Sequence, residues 1–176
     1  MAWDEPVPAV VPGEGRNVAR GATPPPWLQN ILPGLSSMEP PASDLRKGFM
    51  LAFLSVPVGM VLAFAVSYLA YPIGMPRAAL AAPGAVAGFV AVWLFRRKVG
   101  DVTMKGLVRL VIIGVVQGLA CIGAALAADV VYLTGAFGSE YVAQALTAVI
   151  QSSLAWYAIF VACCFGGLYG ALRRFT

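Results

Sequence analysis

Four apolar stretches, each close to the length that crosses a lipid bilayer, occupy most of this chain from residue 49 onward. They run over about residues 49–71, 78–95, 107–133 and 142–172. An α-helix of roughly 20 apolar residues spans the hydrocarbon core, and a helix satisfies its own backbone hydrogen bonds there. The sequence therefore predicts an all-α membrane protein, built as a bundle of four transmembrane helices.

The composition favours the same class of protein. Of the 176 residues, 60% are hydrophobic and 11% are charged, and the mean hydropathy is +0.80. Soluble domains carry roughly 25% charged residues, so this chain departs strongly in the direction of membrane proteins. Two parts are expected: an N-terminal segment over residues 1–45 and a transmembrane domain over residues 46–176.

Basic residues are distributed unevenly between the predicted helices. Nine of the ten that follow residue 45 precede the first helix, separate the second from the third, or follow the fourth: Arg46, Lys47, Arg96, Arg97, Lys98, Lys105, Arg109, Arg173 and Arg174. Basic residues stay on the cytoplasmic side of a membrane. We therefore expect both termini in the cytoplasm, with the chain in a plasma (bacterial inner) membrane or an organellar inner membrane.

The N-terminal segment is rich in proline and glycine, and this composition predicts a largely non-helical chain. One short piece differs, because Trp27, Leu28, Ile31 and Leu32 fall at helical spacing on one face. These four residues are candidates for docking on another protein or on the membrane surface. The alternative is an unstructured tail that happens to contain a few apolar residues.

Small residues recur at a spacing of four in every predicted helix. The candidates for close helix packing are Ser55, Gly59, Gly84, Gly88, Gly114, Gly118, Gly166 and Gly170. Lipid tails are as apolar as leucine, so helices in a bilayer associate through close backbone approach and dispersion rather than through the hydrophobic effect. The pattern predicts tight contacts among these helices or with those of other subunits.

A few polar side chains are expected within the bilayer: Gln117 in the third helix, and Gln151, Ser152 and Ser153 in the fourth. An amide in hydrocarbon needs a hydrogen-bond partner, and Gln117 could bond Gln151 or Ser152 across the bundle. The alternative is a polar path for an ion or a small solute, which is disfavoured because no carboxylate or base lies near the midplane.

The sequence points to no catalytic site, metal site or cofactor. It contains no histidine, and its three cysteines lie within apolar runs without a metal-binding spacing. No phosphate-binding glycine loop or nucleophile elbow occurs, and no nucleic-acid partner is expected.

These features favour a non-catalytic accessory or structural subunit of a larger membrane complex, such as a secretion, energy-transducing or photosynthetic assembly. Its expected partners are other membrane protein subunits and membrane lipids. The alternative is a homo-oligomeric channel, a small transporter or a holin-like pore, in which copies of this chain would associate.

Overall fold

The computed structural model describes residues 23–33, 35–73 and 81–174, and within them all side chains except those of residues 71, 152–154 and 156. This part of the chain is mostly helical and contains no strand, and an isolated β-bridge joins Leu35 to Val102. The prediction of an all-α chain is confirmed for these residues. The helices are α1 (Pro26–Ile31), α2 (Ala42–Phe53), α3 (Ser55–Ile73), α4 (Ala81–Val99), α5 (Met104–Phe137) and α6 (Val142–Arg174), with a 3₁₀ turn at Ser139–Tyr141.

The stretch predicted as a first transmembrane helix over residues 49–71 is longer and is interrupted once. Helices α2 and α3 follow each other with a break at Leu54, whose N–H donates to the Leu51 carbonyl at 3.2 Å. Pro57 explains the break, because it has no N–H for the Phe53 carbonyl and its ring crowds that carbonyl. The chain therefore continues in nearly the same direction after one tightened turn.

The turn between α4 and α5 is fixed at both ends by local hydrogen bonds. The Gly100 N–H donates to the Arg96 carbonyl at 2.8 Å, and Gly100 has a φ of +82°, a conformation that glycine adopts without strain. The Thr103 hydroxyl then accepts a hydrogen bond from the Gly106 N–H at 3.3 Å and caps the start of α5. These two caps reverse the chain within four residues.

The long helices pack as two parallel pairs, α3 with α5 and α4 with α6, while α2 packs on α4 and α5 packs on α6. A large apolar cluster fills the end of the bundle where α2 begins and α4 ends. A smaller cluster lies between α3, α5 and α6; it consists of Ala63, Cys121, Ala124, Phe160 and Cys164.

Two helical stretches in the described residues are long and apolar enough to cross a membrane, Ala42–Ala70 and Met104–Phe137. In the 18-residue apolar part of the first stretch, only 28% is buried inside the chain, and in that of the second 44% is buried. A core helix of a soluble protein would bury most of its apolar surface, whereas large exposed apolar surfaces mark contact with lipid or with partners. These two helices support a membrane location.

Candidate functional site

The closest helix contact in the bundle joins α4 to α6 through glycines of both helices. A Cβ added at Gly84 would lie 2.9 Å from the Cys164 Sγ and 3.1 Å from the Phe160 carbonyl oxygen. A Cβ at Gly88 would collide with the Cys164 carbonyl oxygen. Both predicted packing residues of α4 therefore face a neighbouring helix, and the absence of a side chain is what lets the two backbones touch.

Helix α3 approaches its neighbours at Gly59, which the sequence also marked. A Cβ there would lie 2.9 Å from the Ala87 Cβ of α4 and 3.0 Å from the Cys121 Sγ of α5. Real Cβ atoms are essentially never found closer than 3.0 Å to such neighbours. Gly59 therefore lies where three helices converge, one turn beyond the buried Ser55.

The two predicted packing glycines of α5 both face α6, although at different separations. A Cβ at Gly114 would lie 2.6 Å from the Leu168 Cδ1, and one at Gly118 would lie 3.3 Å from the Val161 Cγ2. The Gly114 contact is the tighter one, and it involves the flexible end of a side chain. The contacts run in opposite directions along the two helices, as expected for antiparallel neighbours.

The predicted packing residues of α6 face the wrong way for contacts within this chain. A Cβ at Gly166 or Gly170 would meet nothing within 4 Å, whereas a Cβ at Gly167 would collide with the Ala85 carbonyl oxygen of α4. The internal seam of α6 therefore passes through Gly167, one residue away from the predicted stripe. Gly166 and Gly170 lie on the exposed face of α6 with two further small residues at the same spacing, Ala158 and Ala162.

A buried polar pair lies beside the break between α2 and α3. The Gln117 side chain of α5 is fully buried, and its Nε2 donates to the Ser55 backbone carbonyl at 3.4 Å. The Gln117 Oε1 and the Ser55 Oγ are also buried and have no hydrogen-bond partner among the described residues. The pair therefore joins α5 to α3 and keeps one unused acceptor and one unused hydroxyl inside the bundle.

Among the described side chains, the hydrogen-bond partner of Gln117 lies on α3 and is not Gln151 of α6. Gln117 bonds α3, and the Gln151 side chain of α6 is exposed on the bundle surface. The Ser152 side chain lies outside the described residues. The physical reason is that α3 and α5 pack side by side here, and Gly59 leaves room for the amide, since a Cβ at that glycine would lie 3.1 Å from Gln117 Nε2.

The apolar residues of α1 divide between two surroundings. Leu28 and Leu32 are buried in the large apolar cluster of this same chain. Trp27 and Ile31 point away and remain 62% and 48% exposed. Half of the predicted docking face is thus occupied by the chain's own helices, and the other half is left uncovered by the described residues.

The segment after α1 is held against the turn between α4 and α5, which the sequence did not suggest. The Ser36 N–H donates to the Val102 carbonyl at 2.9 Å. Glu39 forms an ion pair of 2.6 Å with Lys105 at the start of α5. No periodicity or motif marks these partners in the sequence, because each contact joins two single residues that lie more than 60 positions apart.

Several basic residues at this end of the bundle have local partners. Arg96 lies 3.6 Å from Asp101, and the Arg97 guanidinium lies 5.5 Å from the centre of the Trp93 ring. Guanidinium groups over a tryptophan ring gain a favourable cation–π interaction.

At the opposite end of the bundle, Tyr68 and Tyr132 make an edge-to-face contact with ring centres 6.2 Å apart.

The fold and its seams define a helical bundle that contains two helices of membrane-spanning length and hydropathy. No protein-family model, curated protein or solved structure matches this chain.

Proposed function

We propose that this chain is a non-catalytic subunit of a larger membrane assembly, inserted as a bundle of four transmembrane helices with both termini in the cytoplasm. The observation that carries the proposal is the exposed stripe of small residues on α6, which includes Gly166 and Gly170. Small residues at a spacing of four allow two membrane helices to approach closely, and none of the described helices covers the stripe. A helix of another subunit would fit it.

Four membrane crossings are supported because α4 and α6 pack side by side with the two helices that are clearly long and apolar enough to span a membrane. Helices α4 and α6 lie alongside the two stretches of clear membrane-spanning character, so lipid that surrounds α3 and α5 would also surround them. They also expose large apolar side chains, among them Val86 on α4 and Ile159 on α6. The cations at the end of α4 and the end of α6 would then lie at the cytoplasmic interface.

The alternative function, a channel or a pore, requires several copies of this chain. Within one copy, backbone contacts close the seam between α4 and α6 at Gly88 and at Gly167, which leaves no room for a solute between those helices. A conducting path would therefore have to lie between copies. The same α6 stripe would then be a self-contact, so both functions predict an interface there but with different partners.

The proposed orientation predicts where reporters fused at the two glycine turns will be found. A reporter at Gly100, between α4 and α5, is expected in the cytoplasm, because three basic residues lie in the last turn of α4. A reporter at Gly138, between α5 and α6, is expected on the opposite side. Paired fusions of alkaline phosphatase and a fluorescent protein make the measurement, and a cytoplasmic result at Gly138 would contradict the four-helix arrangement.

The α6 stripe predicts that Gly166→Leu breaks assembly without unfolding the chain. The Cβ of a leucine there meets no described residue within 4 Å, but the side chain would push a partner helix away and cost roughly 1–3 kcal/mol, or about 5- to 150-fold in complex recovery. The measurement is purification in mild detergent at equal membrane level, with co-purifying subunits quantified by mass spectrometry.

Gly123→Leu is the matched control, since Gly123 of α5 is also exposed and also meets nothing within 4 Å. It is expected to leave complex recovery unchanged. Recovery that is equal for both variants and the wild type would remove the α6 stripe as an interface. Recovery of a ring containing only this chain would favour the pore over the accessory subunit.

A further inference from the structure

The outer face of α2 combines two basic residues with an apolar surface. A cleft of about 660 Å³ opens along it, lined by Ser43, Arg46, Lys47, Met50, Leu51 and Leu54. Residues three, four and seven apart lie on one side of a helix, so the cations are directly above the apolar residues. From Arg46 to Leu54 the face extends about 12 Å along the helix axis.

The opposite face of α2 fixes which way this cleft points. Leu45, Gly48 and Ala52 are buried, and a Cβ at Gly48 would collide with the Val99 side chain of α4. Helix α2 is thus held against the bundle by that face. Met50 and Leu54 on the cleft face are 57% and 56% exposed.

The two cations of the cleft are available to a ligand. Arg46 and Lys47 are exposed, and within residues 23–33, 35–73 and 81–174 neither takes part in an ion pair. Asp44 of the same helix is half-buried and lines a different cleft, together with Lys98 and Asp101. The described lining of the α2 cleft therefore carries positive charge and no acid.

We propose that this cleft binds an anionic phospholipid, with the phosphate between Arg46 and Lys47 and an acyl chain along Met50, Leu51 and Leu54. Charge-assisted hydrogen bonds from guanidinium and ammonium groups hold phosphate oxygens, and apolar side chains below them match a hydrocarbon chain. The inference rests on the membrane location in the proposed function. It goes beyond general attraction to the cytoplasmic leaflet because it assigns one site, on α2.

The test uses the purified full chain in nanodiscs of phosphatidylcholine that contain a small fraction of phosphatidylglycerol. After mild detergent extraction, native mass spectrometry counts the lipids that stay bound. The ratio of bound phosphatidylglycerol to phosphatidylcholine, relative to the bulk ratio, is expected to be about 30, since each basic residue near a headgroup gives roughly a fivefold preference. A ratio near one for the folded wild-type chain would overturn the proposal.

Variants separate a built site from general surface charge. Arg46→Gln with Lys47→Gln is expected to bring the ratio close to one, whereas Arg173→Gln with Arg174→Gln removes the same charge from the end of α6 and is expected to leave it unchanged. An equal loss in both double variants would show attraction without a site and would contradict the proposal. Leu54→Trp, which fills the apolar half of the cleft with a larger ring, is expected to lower the ratio several-fold.

Two further outcomes concern other occupants of the cleft. Displacement of the bound lipid by excess inorganic phosphate would show a free-phosphate site and would overturn the lipid assignment. A gain in lipid binding after deletion of residues 1–22 would show that this segment fills the cleft, with the same consequence. If the chain inserts into the bilayer but does not select the anionic lipid, the lipid-site proposal fails and the subunit proposal stands. If the chain enters no bilayer, both proposals fail.

Discussion

Gly167→Ala is expected to destabilise the bundle by about 1–3 kcal/mol, although it adds a single methyl group. The added Cβ would collide with the Ala85 carbonyl oxygen of α4, and a backbone atom cannot move aside as a side chain can. Helices α4 and α6 would have to separate along the whole seam that also contains Gly84 and Gly88. The resulting loss of close contacts is expected to lower the denaturing-detergent concentration at which half of the protein is unfolded.

The neighbouring glycine provides the control for this prediction. Gly166→Ala makes the same chemical change one residue earlier in the same helix, where the new Cβ meets nothing within 4 Å. It is expected to be neutral or stabilising by up to about 1 kcal/mol, because alanine favours helix over glycine. Equilibrium unfolding of the purified chain in mixed detergent, followed by tryptophan fluorescence, compares the two. Equal midpoints would mean that α6 is rotated relative to the described packing.

Phe95→Ala is expected to cost about 3–5 kcal/mol, the range found when a fully buried aromatic ring is truncated. The ring is completely buried between two glycines of neighbouring helices. A Cβ at Gly48 of α2 would lie 3.5 Å from its Cδ2, and one at Gly106 of α5 would lie 3.0 Å from its Cζ. The Val99 side chain also reaches Gly48, but it is much smaller than the lost ring, so truncation is expected to leave a cavity in the large apolar cluster.

The control is Phe137→Ala at the end of α5, where the ring is 62% exposed. It removes the same atoms and is expected to change the free energy of unfolding by less than about 0.5 kcal/mol. The same unfolding measurement applies to both variants. Similar destabilisation by the two substitutions would show that Phe95 is not enclosed as described.

The helical class of the chain and several of its packing glycines could be predicted from the sequence, because both depend on simple patterns. The length of each apolar run predicts a helix and its approximate position. Small residues four apart lie on one face of a helix, as Gly84 and Gly88 do. The face of α6 could not be chosen this way. Gly166 and Gly167 are adjacent, so two stripes were possible, and each is as apolar as the other.

In a soluble helix, polar residues would have shown which stripe faces outward, but lipid removes that signal. The packing of Phe95 between Gly48 and Gly106 could not be predicted for a different reason. Gly48 and Gly106 are single glycines in different helices, far apart in sequence, and no spacing rule connects them to an aromatic ring. The partner of Gln117 could not be predicted either, because its hydrogen bond is accepted by a backbone carbonyl, that of Ser55, and every residue has one.

The pairing of α4 with α6 has a consequence for biogenesis. The glycine face of α4 cannot meet its partner until the end of α6 has been synthesised, roughly 75 residues later, which at 5–20 residues per second takes about 4–15 s. Helices α3 and α5 are complete well before that time and can pair first. During the interval the groove at Gly84 and Gly88 is not yet filled by α6, so the order of translation leaves a period in which this face of α4 lacks its partner helix.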